Sequence, residues 1–445
     1  MSIELVTLLM FGSLMVLLLA GLPVAFATGS LAVLFISLLW DPAALNTIAL
    51  RVWQQMYQYL LFAIPLFIFL ASMLQKSGII EDMYETIREW TGPLRGGLAV
   101  ATVIASTLLA AIVGIIGAAV VTMGLIALPA MLEHKYDKNL AMGSVMAGGT
   151  LGILIPPSIL FILYALVAGQ SAGKLFAGGI LPGLVLSGLY CTYILIRCYL
   201  NPRMGPGLSK EERAQITWKI KLFHLGRIAF PLALVLVVLG SIFLGIASIT
   251  EAAGIGAMGA VVAAALRGKL TWANLKDSCY QTVRVTAMVL WTIFGALSFV
   301  TFYIAIGGDR FVTGLVLDLE LGKWGTLWLI MIVLIVLGMF LDWVGIMYLA
   351  VPIFLPVVKE LGFDLLWFGV VYNVNMQMSF LSPPFGYALF YLKGVAPPEI
   401  TMWEIIKSAL PFLVLQFTGL VIVVFYPPLA TTLPNLIFAP GKFGI

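Results

Sequence analysis

The stretch GILIPPS (residues 152–158) interrupts a long apolar run with two adjacent prolines. A proline inside a helix removes a hydrogen-bond donor and clashes with the preceding turn, so two in series leave several carbonyl groups unpaired. The same feature returns in the second half of the chain, in SFLSPPFG (residues 379–386). A structural kink explains either break alone. Its recurrence predicts a helical bundle in which each half of the chain contains one helix broken by a proline pair.

Other landmarks recur at almost the same interval as the proline pairs. The glycine of VGIIG, Gly117, is followed at this interval by the glycine of DWVGI, Gly345. Two further pairs fit the offset: Pro182 with Pro411, and Pro23 with Glu251. Apolar segments that are interrupted by Gly or Pro at matching places in two halves are typical of the binding sites of secondary transporters. The sequence therefore predicts two related halves, separated by the polar interval at residues 197–227.

The composition indicates a membrane protein. Hydrophobic residues make up 62% of the 445 positions, charged residues only 10%, and the mean hydropathy is +1.10. A soluble chain averages about 25% charged residues. Apolar runs of about 20 residues, enough to cross a bilayer, recur along the chain, whereas the alternating segments of a membrane β-barrel do not. We predict an all-α polytopic membrane protein whose first apolar run (residues 6–20) is retained as a helix.

The distribution of Lys and Arg predicts the orientation in the membrane. Of the 24 basic residues, 18 fall in five polar segments: residues 76–97, 133–139, 197–227, 267–284 and 393–407. These segments are predicted to be cytoplasmic, with both termini outside. The loops that flank Gly117 are then cytoplasmic and those that flank Gly345 are periplasmic. The two halves are therefore predicted to be inverted repeats.

Two apolar stretches are too long for one helix and are broken by small residues near the middle. Residues 92–132 are interrupted around Gly114-Ile115-Ile116-Gly117, and residues 325–358 around Asp342-Trp343-Val344-Gly345. Each is predicted to form a hairpin that enters the membrane and turns back. Such a turn needs protein or a wet cavity to satisfy its backbone groups, and glycine permits its unusual dihedral angles.

The hairpin tips and broken helices are the predicted functional elements. Freed carbonyl groups suit a cation such as Na⁺, and helix N-termini suit a carboxylate. Asp342 and Glu251 are the acidic residues expected at membrane depth, where ionisable groups are costly. Asp342 is expected to coordinate an ion or stabilise its tip, and Glu251 to cap a helix. Neutral polar residues near the breaks fit ligand binding and interhelical hydrogen bonds equally well: Thr150, Asn373, Asn375, Gln377, Ser379 and Ser382.

Five stretches together carry a family resemblance over essentially the whole chain. They are FAIPLFIFLASMLQKSGI (62–79), GTLGILIPPSILFILYALVAGQSAGKLFAGGILPG (149–183), ITEAAGIGA (249–257), GMFLDWVGIMYLAVPIFLPV (338–357) and SPPFGYALFYLKGV (382–395). These stretches resemble the large permease subunit of tripartite ATP-independent periplasmic (TRAP) transporters. FLDWVG and SFLSPPFGYALFYLKGVAPP are most similar to the branch associated with 2-oxo acids and related organic anions.

The resemblance implies a sodium-coupled importer of a small organic acid in the bacterial inner membrane, and not an enzyme. Its partners would be a small four-helix membrane subunit and a soluble periplasmic substrate-binding protein. It also implies an elevator motion, in which both hairpins and both broken helices slide against a scaffold.

In the family, sodium sites form where each hairpin tip meets a broken helix. Carried onto this chain, one site uses Gly114, Gly117, Gly152 and Pro156, and the other uses Asp342, Gly345, Ser379 and Ser382. Many relatives have serines at the first tip, where this chain has Val113, Ile115 and Ile116, so backbone carbonyl groups would have to bind the ion there. Substrate is expected at Thr150, Pro157, Asn373, Asn375, Pro383 and Pro384.

These elements divide the chain into six predicted segments. Residues 1–91 hold scaffold helices and an interfacial helix, 92–165 the first hairpin and broken helix, and 166–230 a helix and a basic cytoplasmic connector. Residues 231–324 hold further scaffold helices, 325–392 the second hairpin and broken helix, and 393–445 the last helix and a periplasmic tail. A proton-coupled carrier without a binding protein is the alternative, with Asp342 and Glu251 available for a proton relay.

Overall fold

The computed structural model describes residues 1–40, 42–114, 116–215 and 217–439. Helices and turns, with no strand, make up these residues. Seven of the helices in them are long and apolar enough to cross a membrane, and a pair bent by 52° would make an eighth. Ile115 in the first tip, and residues 440–445 of the predicted tail, lie outside the described residues.

The first half of the chain runs from α1 to α10, and α11 lies in the connector. The bounds are α1 (Ile3–Leu19), α2 (Val24–Leu39), α3 (Leu45–Met56), α4 (Ala63–Lys76), α5 (Ile79–Thr91), α6 (Gly97–Val113), α7 (Ile116–Glu133), α8 (Lys138–Thr150), α9 (Ile159–Ala168), α10 (Ala172–Leu200) and α11 (Lys210–Gln215).

The second half runs from α12 to α22. The bounds are α12 (Trp218–Phe243), α13 (Ile249–Leu266), α14 (Trp272–Ala305), α15 (Gly308–Leu317), α16 (Gly322–Gly338), α17 (Trp343–Leu349), α18 (Val351–Glu360), α19 (Leu365–Leu381), α20 (Tyr387–Lys393), α21 (Met402–Phe425) and α22 (Pro428–Ile437).

The two halves repeat helix by helix, as the sequence predicts. The hairpin α6–α7 corresponds to α16–α18, the broken helix α8–α9 to α19–α20, and α10 to α21. The helix caps repeat as well: Asp137 accepts a hydrogen bond from the Leu140 amide at 3.0 Å at the start of α8. At the matching place in the second half, Asp364 accepts one from the Trp367 amide at 2.8 Å at the start of α19. An N-cap carboxylate satisfies amides that have no partner within the helix.

Both predicted hairpins are present, because the two ends of each lie side by side. In the first, the Leu98 amide donates to the Tyr136 hydroxyl at 3.1 Å. In the second, Lys323 Nζ donates to the Gly362 carbonyl at 3.3 Å. The second arm of this hairpin is split between α17 and α18.

The two hairpins enter the bundle from opposite ends. The ends of the first lie with the connector, since the Asp137 amide donates to the Met204 carbonyl at 2.9 Å. Asp137 also borders a small cavity with Lys407, near the start of α21. The ends of the second lie at the other end of α21, where Trp324 stacks on Phe425 at 5.7 Å. The 24 residues of α21 span about 36 Å, so the repeats are inverted.

The helices pack in two groups, which we call the scaffold group (α1–α4 and α12–α14) and the hairpin group (α6–α10 and α16–α22). Within the scaffold group, Phe11 of α1 packs edge-on against Phe299 of α14 at 5.5 Å. Within the hairpin group, Gln416 of α21 donates to Thr150 of α8 at 3.1 Å. The predicted interfacial helix α5 packs on α6 and α12 and buries Met83.

Candidate functional site

The first hairpin tip meets the first broken helix. Gly114 ends α6 with φ of +60°, a left-handed conformation that favours glycine. A Cβ atom at Gly114 would lie 2.7 Å from the Pro157 carbonyl oxygen, so the tip has no room for a side chain. The break itself consists of a 3₁₀ turn, Leu151–Ile153, that contains Gly152, followed by a cis Pro156–Pro157 bond. Ser158 then caps α9 by accepting from the Phe161 amide at 3.4 Å.

The second hairpin tip is built around a carboxylate. Asp342 caps α17, and its Oδ1 accepts a hydrogen bond from the Gly345 amide at 3.1 Å. A Cβ atom at Gly345 would lie 2.8 Å from that oxygen, so glycine leaves the room that the cap needs. Gly338, at the end of the first arm, lies against the side chain of Ser379 in the second broken helix. This tip therefore also meets its own break, which holds the cis Pro383–Pro384 bond.

Polar side chains on α19 are buried beside the second tip without full hydrogen bonding. Among the described residues, these buried atoms have no partner: Asn373 Oδ1, Asn375 Oδ1, Gln377 Oε1 and Nε2, and Ser379 Oγ. A buried polar atom without a partner costs about 1–3 kcal/mol. Carboxylate, hydroxyl and carbonyl oxygens are the ligands that hard cations prefer. The Asp342 carboxylate at the second tip and these unpaired oxygens on α19 are thus of the ligand type that a small cation prefers.

A cavity of about 700 Å³ separates the two tips from the scaffold group. Its volume is within the range of small-molecule sites. The hairpin group contributes Gly117, Phe340, Asp342, Trp343, Phe380, Tyr387 and Tyr391, among others. The scaffold group contributes Pro23, Phe26, Ile68, Ser72, Gln75, Gln281, Met288 and Trp291, among others. Asp342 is the one charged side chain among the described residues that line the cavity.

Two hydrogen bonds join the groups across their boundary. Gln75 of α4 donates to Thr122 of α7 at 2.7 Å, beside the cavity. Gln55 of α3 donates to the Tyr348 hydroxyl in the second hairpin at 2.9 Å. Each hairpin thus adds to its packing on the scaffold group one hydrogen bond from a neutral amide, among the described residues.

The predicted ion ligands differ in their access to the cavity. Gly117 and Asp342 line it, whereas the others lie behind them in the hairpin group: Gly114, Gly152, Pro156, Gly345, Ser379 and Ser382. The Ser382 hydroxyl donates to the Met378 carbonyl at 2.8 Å. The part that these eight residues play in ion binding remains a prediction.

The residues predicted to bind substrate do not line this cavity. Thr150 and Asn373 are fully buried; Thr150 accepts from Gln416, and Asn373 donates to the Gly369 carbonyl at 2.8 Å. Asn375 donates to the Met331 carbonyl at 3.1 Å. Pro157 lies beside Leu70 and Leu234 of the scaffold group, Pro383 is half-buried and Pro384 is exposed. Their role in substrate binding stays a prediction.

Glu251 is an N-terminal cap, which was the favoured interpretation. Its carboxylate accepts from the Ser248 amide at 2.7 Å, and its own amide donates to the Ser248 hydroxyl at 3.3 Å. The side chain is exposed in the first turn of the 18-residue α13. The expectation that it lies at membrane depth is therefore wrong, because this turn is at the end of the helix.

Aromatic side chains that were not predicted from the sequence line the cavity. Tyr387 and Tyr391 lie one turn apart on α20, so both point to the same side. The Tyr391 ring covers the first tip, since a Cβ at Gly117 would lie 3.0 Å from its Cζ atom. The spacing of the two tyrosines in FGYALFYLK was the available signal.

Two inverted halves, each with a hairpin and a proline-broken helix, surround one cavity. This is the architecture of a secondary transporter in a membrane. The family model described as "Tripartite ATP-independent periplasmic transporter, DctM component" matches residues 11–429. The chain therefore belongs to this family, and it is the large permease of a binding-protein-dependent secondary transporter in the bacterial inner membrane, not an enzyme.

Individual relatives agree with this assignment over the full length. The C4-dicarboxylate TRAP transporter large permease protein DctM of Rhodobacter capsulatus is 32% identical, with 97% of this chain and 99% of that protein covered. Its namesake from Vibrio cholerae serotype O1 is 31% identical, with 99% of both chains covered. The solved YdaH transporter of Alcanivorax borkumensis shares the fold, with a TM-score of 0.63 at 15% identity over 94% of this chain and 99% of that one. The branch within the family remains a prediction.

Proposed function

We propose that this permease imports a small organic acid together with Na⁺ and receives the acid from a periplasmic substrate-binding protein. A small membrane subunit of four helices would complete the transporter. The family description, which names a tripartite periplasmic system, supports these partners. The similar permeases of R. capsulatus and V. cholerae are named for C4-dicarboxylates, which supports an organic acid as substrate.

The observation that carries the sodium proposal is the second hairpin tip. Asp342 lies there beside a break whose preceding helix buries unpaired oxygen atoms. A Na⁺ ion held by Asp342, Gly345, Ser379 and Ser382 would compensate the carboxylate. It would also offset part of the cost of the buried oxygens. A second ion at the first tip would rely on the carbonyl groups of the glycines and prolines predicted there.

The start of α7 supports an acid as the substrate. This helix begins at Ile116, and Ile116, Gly117 and Ala118 all line the cavity. The first amides of a helix have no partner within the helix and carry a partial positive charge, which favours a carboxylate. We place the carboxylate of the substrate here, between the two tips and close to both proposed ions.

The packing of the helices supports an elevator motion. Both tips and both breaks belong to the hairpin group, so their backbone groups stay shielded from lipid if this group moves as one body. The cavity lies at the boundary with the scaffold group, where substrate would remain bound during the movement. The contacts of Gln75 with Thr122 and of Gln55 with Tyr348 across this boundary are uncharged, so they break at low cost.

Reconstitution tests the proposal. The permease and its small subunit are placed in proteoliposomes, and uptake of labelled organic acids is measured with the binding protein outside. Uptake should require an inward Na⁺ gradient and fall to background when choline replaces Na⁺. Full uptake in choline that follows a pH gradient would contradict sodium coupling and favour the proton-coupled alternative, with Asp342 as the proton carrier.

A further inference from the structure

We infer that the transported acid has one carboxylate and an apolar body, preferably aromatic or branched, and that dicarboxylates bind poorly. The inference rests on the proposed function and names the substrate class of the same cavity. It departs from the dicarboxylates for which similar permeases are named.

The first argument is the charge of the cavity. Asp342 is its one charged side chain, and no Lys, Arg or His occurs among the described residues that line it. With the one Na⁺ that the proposed function places at each tip, and the negative charge of Asp342, the site would carry a net charge of +1. One carboxylate neutralises this charge. The second carboxylate of a dicarboxylate would lose water without gaining a cation, which is costly in a poorly hydrated site.

The second argument is the aromatic surface that the cavity leaves open. Tyr391 lines the hairpin wall of the cavity and Trp291 lines the scaffold wall. Tyr387 extends the hairpin wall and packs on the buried Phe380, with ring centroids 6.3 Å apart. Aromatic rings that line a cavity gain from a ligand that removes their apolar surface from water. Such walls favour an apolar body over a small, doubly charged one.

The third argument comes from the repeat. Tyr164 and Tyr391 are separated by the same interval as the two proline pairs, so Tyr164 occupies the matching place in the first broken helix. Tyr164 is fully buried, stacks on Tyr372 at 6.1 Å and donates to the Leu365 carbonyl at 2.7 Å. In the first half, residues of the protein itself therefore cover this tyrosine. In the other half the ring opens into the cavity, where the apolar body of the substrate would cover it.

Two matched series of acids test the inference on the purified complex of the full permease with its small subunit. Affinity is measured in Na⁺ and in choline by the quenching of tryptophan fluorescence, since Trp291 and Trp343 line the cavity. Butanoate, pentanoate and hexanoate should bind more tightly by about fourfold per methylene, which corresponds to about 0.8 kcal/mol for each buried CH₂. Succinate, glutarate and adipate should show no such trend, and adipate should bind at least tenfold more weakly than hexanoate.

Two variants on one helix locate the effect. Tyr391→Ala should weaken 3-phenylpropanoate about fivefold and leave butanoate almost unchanged, as expected for the loss of one aromatic contact. Phe390→Ala is the matched control, because Phe390 is similarly exposed on α20 but does not line the cavity. Met288→Arg, which places a cation in the scaffold wall, should strengthen adipate about tenfold.

The outcomes separate this inference from the proposed function. Sodium-dependent binding that favours adipate over hexanoate, or a flat monocarboxylate series, would overturn the inference and leave sodium-coupled transport of an acid standing. Equal losses in Tyr391→Ala and Phe390→Ala would overturn the aromatic part. If no acid of either series binds in a sodium-dependent way, the inference is overturned, whereas the proposed function stands or falls on the uptake measured with the binding protein present.

Discussion

The two hairpin tips reverse the direction of the chain by different means. Position 114 is a glycine, whereas the position that matches it in the second half is Asp342. At the first tip, Gly114 ends α6 in a left-handed backbone conformation. This is a common way to end a helix. At the second tip, Asp342 instead begins the next helix, as the N-cap of α17. The next landmark, Gly117 or Gly345, is a glycine in both.

This difference shows what a repeat conserves and what it leaves free. A reversal of the chain that lies against a proline-broken helix occurs in both halves, at matching glycines and prolines. The chemistry is divided: a carboxylate and unpaired oxygens lie at the second tip, and backbone groups at the first. We therefore expect two ion sites of unequal strength, of which the second responds to side-chain substitution.

The largest effect is expected from fixing one tip to the scaffold. Gln75→Cys with Thr122→Cys replaces the polar contact between α4 and the first hairpin. In a background without Cys191, Cys198 and Cys279, a bifunctional thiol crosslinker with a cleavable disulfide in its spacer should abolish uptake. A reductant should restore it, because an elevator cannot move while the groups are joined. Mass spectrometry of the crosslinked peptides confirms the link, and each single cysteine variant is the control.

The second hairpin provides the matching crosslink. Gln55→Cys with Tyr348→Cys joins it to α3, and this link should also stop transport. In an elevator, contacts formed in the opposite state should be mutually exclusive with both pairs and displaced along the membrane normal. Full turnover with either pair crosslinked would contradict the elevator proposal and leave the transporter assignment standing.

The next largest effect concerns the carboxylate that distinguishes the tips. Asp342→Asn keeps a side chain that can cap α17 but removes the charge. The Na⁺ concentration for half-maximal uptake should rise at least tenfold. Asp342→Ala should do the same and also lose about 1 kcal/mol of stability with the cap. Asp364→Asn, at an N-cap outside the cavity, is the control and should leave Na⁺ dependence unchanged. An unaltered Na⁺ curve in Asp342→Asn would remove this residue from the ion site.

The matched glycines give a smaller, graded effect. A Cβ at Gly345 would lie 2.8 Å from the capping oxygen of Asp342 and 3.0 Å from Val24, so Gly345→Ala must disturb the tip. We expect a loss of about 1–2 kcal/mol of stability, as for a damaged cap, and weaker Na⁺ binding. Gly117→Ala meets only the Tyr391 ring, at 3.0–3.3 Å, which can rotate away. Its loss should stay below about 1 kcal/mol. Thermal unfolding of both variants in Na⁺ measures the difference, and equal losses would show that the tips are equally rigid.

The sequence was sufficient to predict the arrangement of the helices, but it was not sufficient to predict which residues line the cavity. Hairpins, breaks and the inverted repeat were predictable because glycine and proline act on the local backbone, and because the landmarks keep one offset. Tyr391 could not be assigned to the cavity, since its covered counterpart Tyr164 is the same residue type at the matching place. Only packing between distant helices decides which of the two is open.

The hydrogen-bond partners of the polar residues could not be predicted for a related reason. Thr150 and Asn375 occur at the predicted breaks, but their hydrogen bonds go to Gln416 and to the Met331 carbonyl, on helices that are distant in sequence. Glu251 was placed too deep because the apolar run around it does not show where α13 begins. No local sequence pattern marks Gln75 and Gln281 as residues that line the cavity.

The smallest effect is expected at the outer ends of the hairpins, where the halves also differ. The connector holds the ends of the first hairpin: the Gly96 amide donates to the Gly205 carbonyl at 2.8 Å, and Glu212 Oε1 lies 2.9 Å from His134 Nε2. The ends of the second hairpin hold each other through Lys323 and Gly362. The hydrogen bond with His134, together with that from the Ser209 amide, lowers the pKa of Glu212 from 4.5 to about 2.

A lowered carboxyl pKa stabilises the folded state above the unfolded value, and this stabilisation is lost as the pH falls from about 4.5 towards 2. At pH 7 the Glu212 carboxylate is therefore ionised, but the pair is partly exposed and contributes at most about 1 kcal/mol. Glu212→Gln should speed hydrogen exchange at Gly96 and Asp137 by no more than about fivefold and leave uptake unchanged. Gly362 is the internal control, because the ends of the second hairpin lie at the opposite end of α21 from the ends of the first. Faster exchange at both hairpins would mean that Glu212 supports the whole bundle. If exchange changes at neither hairpin, the backbone hydrogen bonds of the connector hold the first hairpin without the help of Glu212.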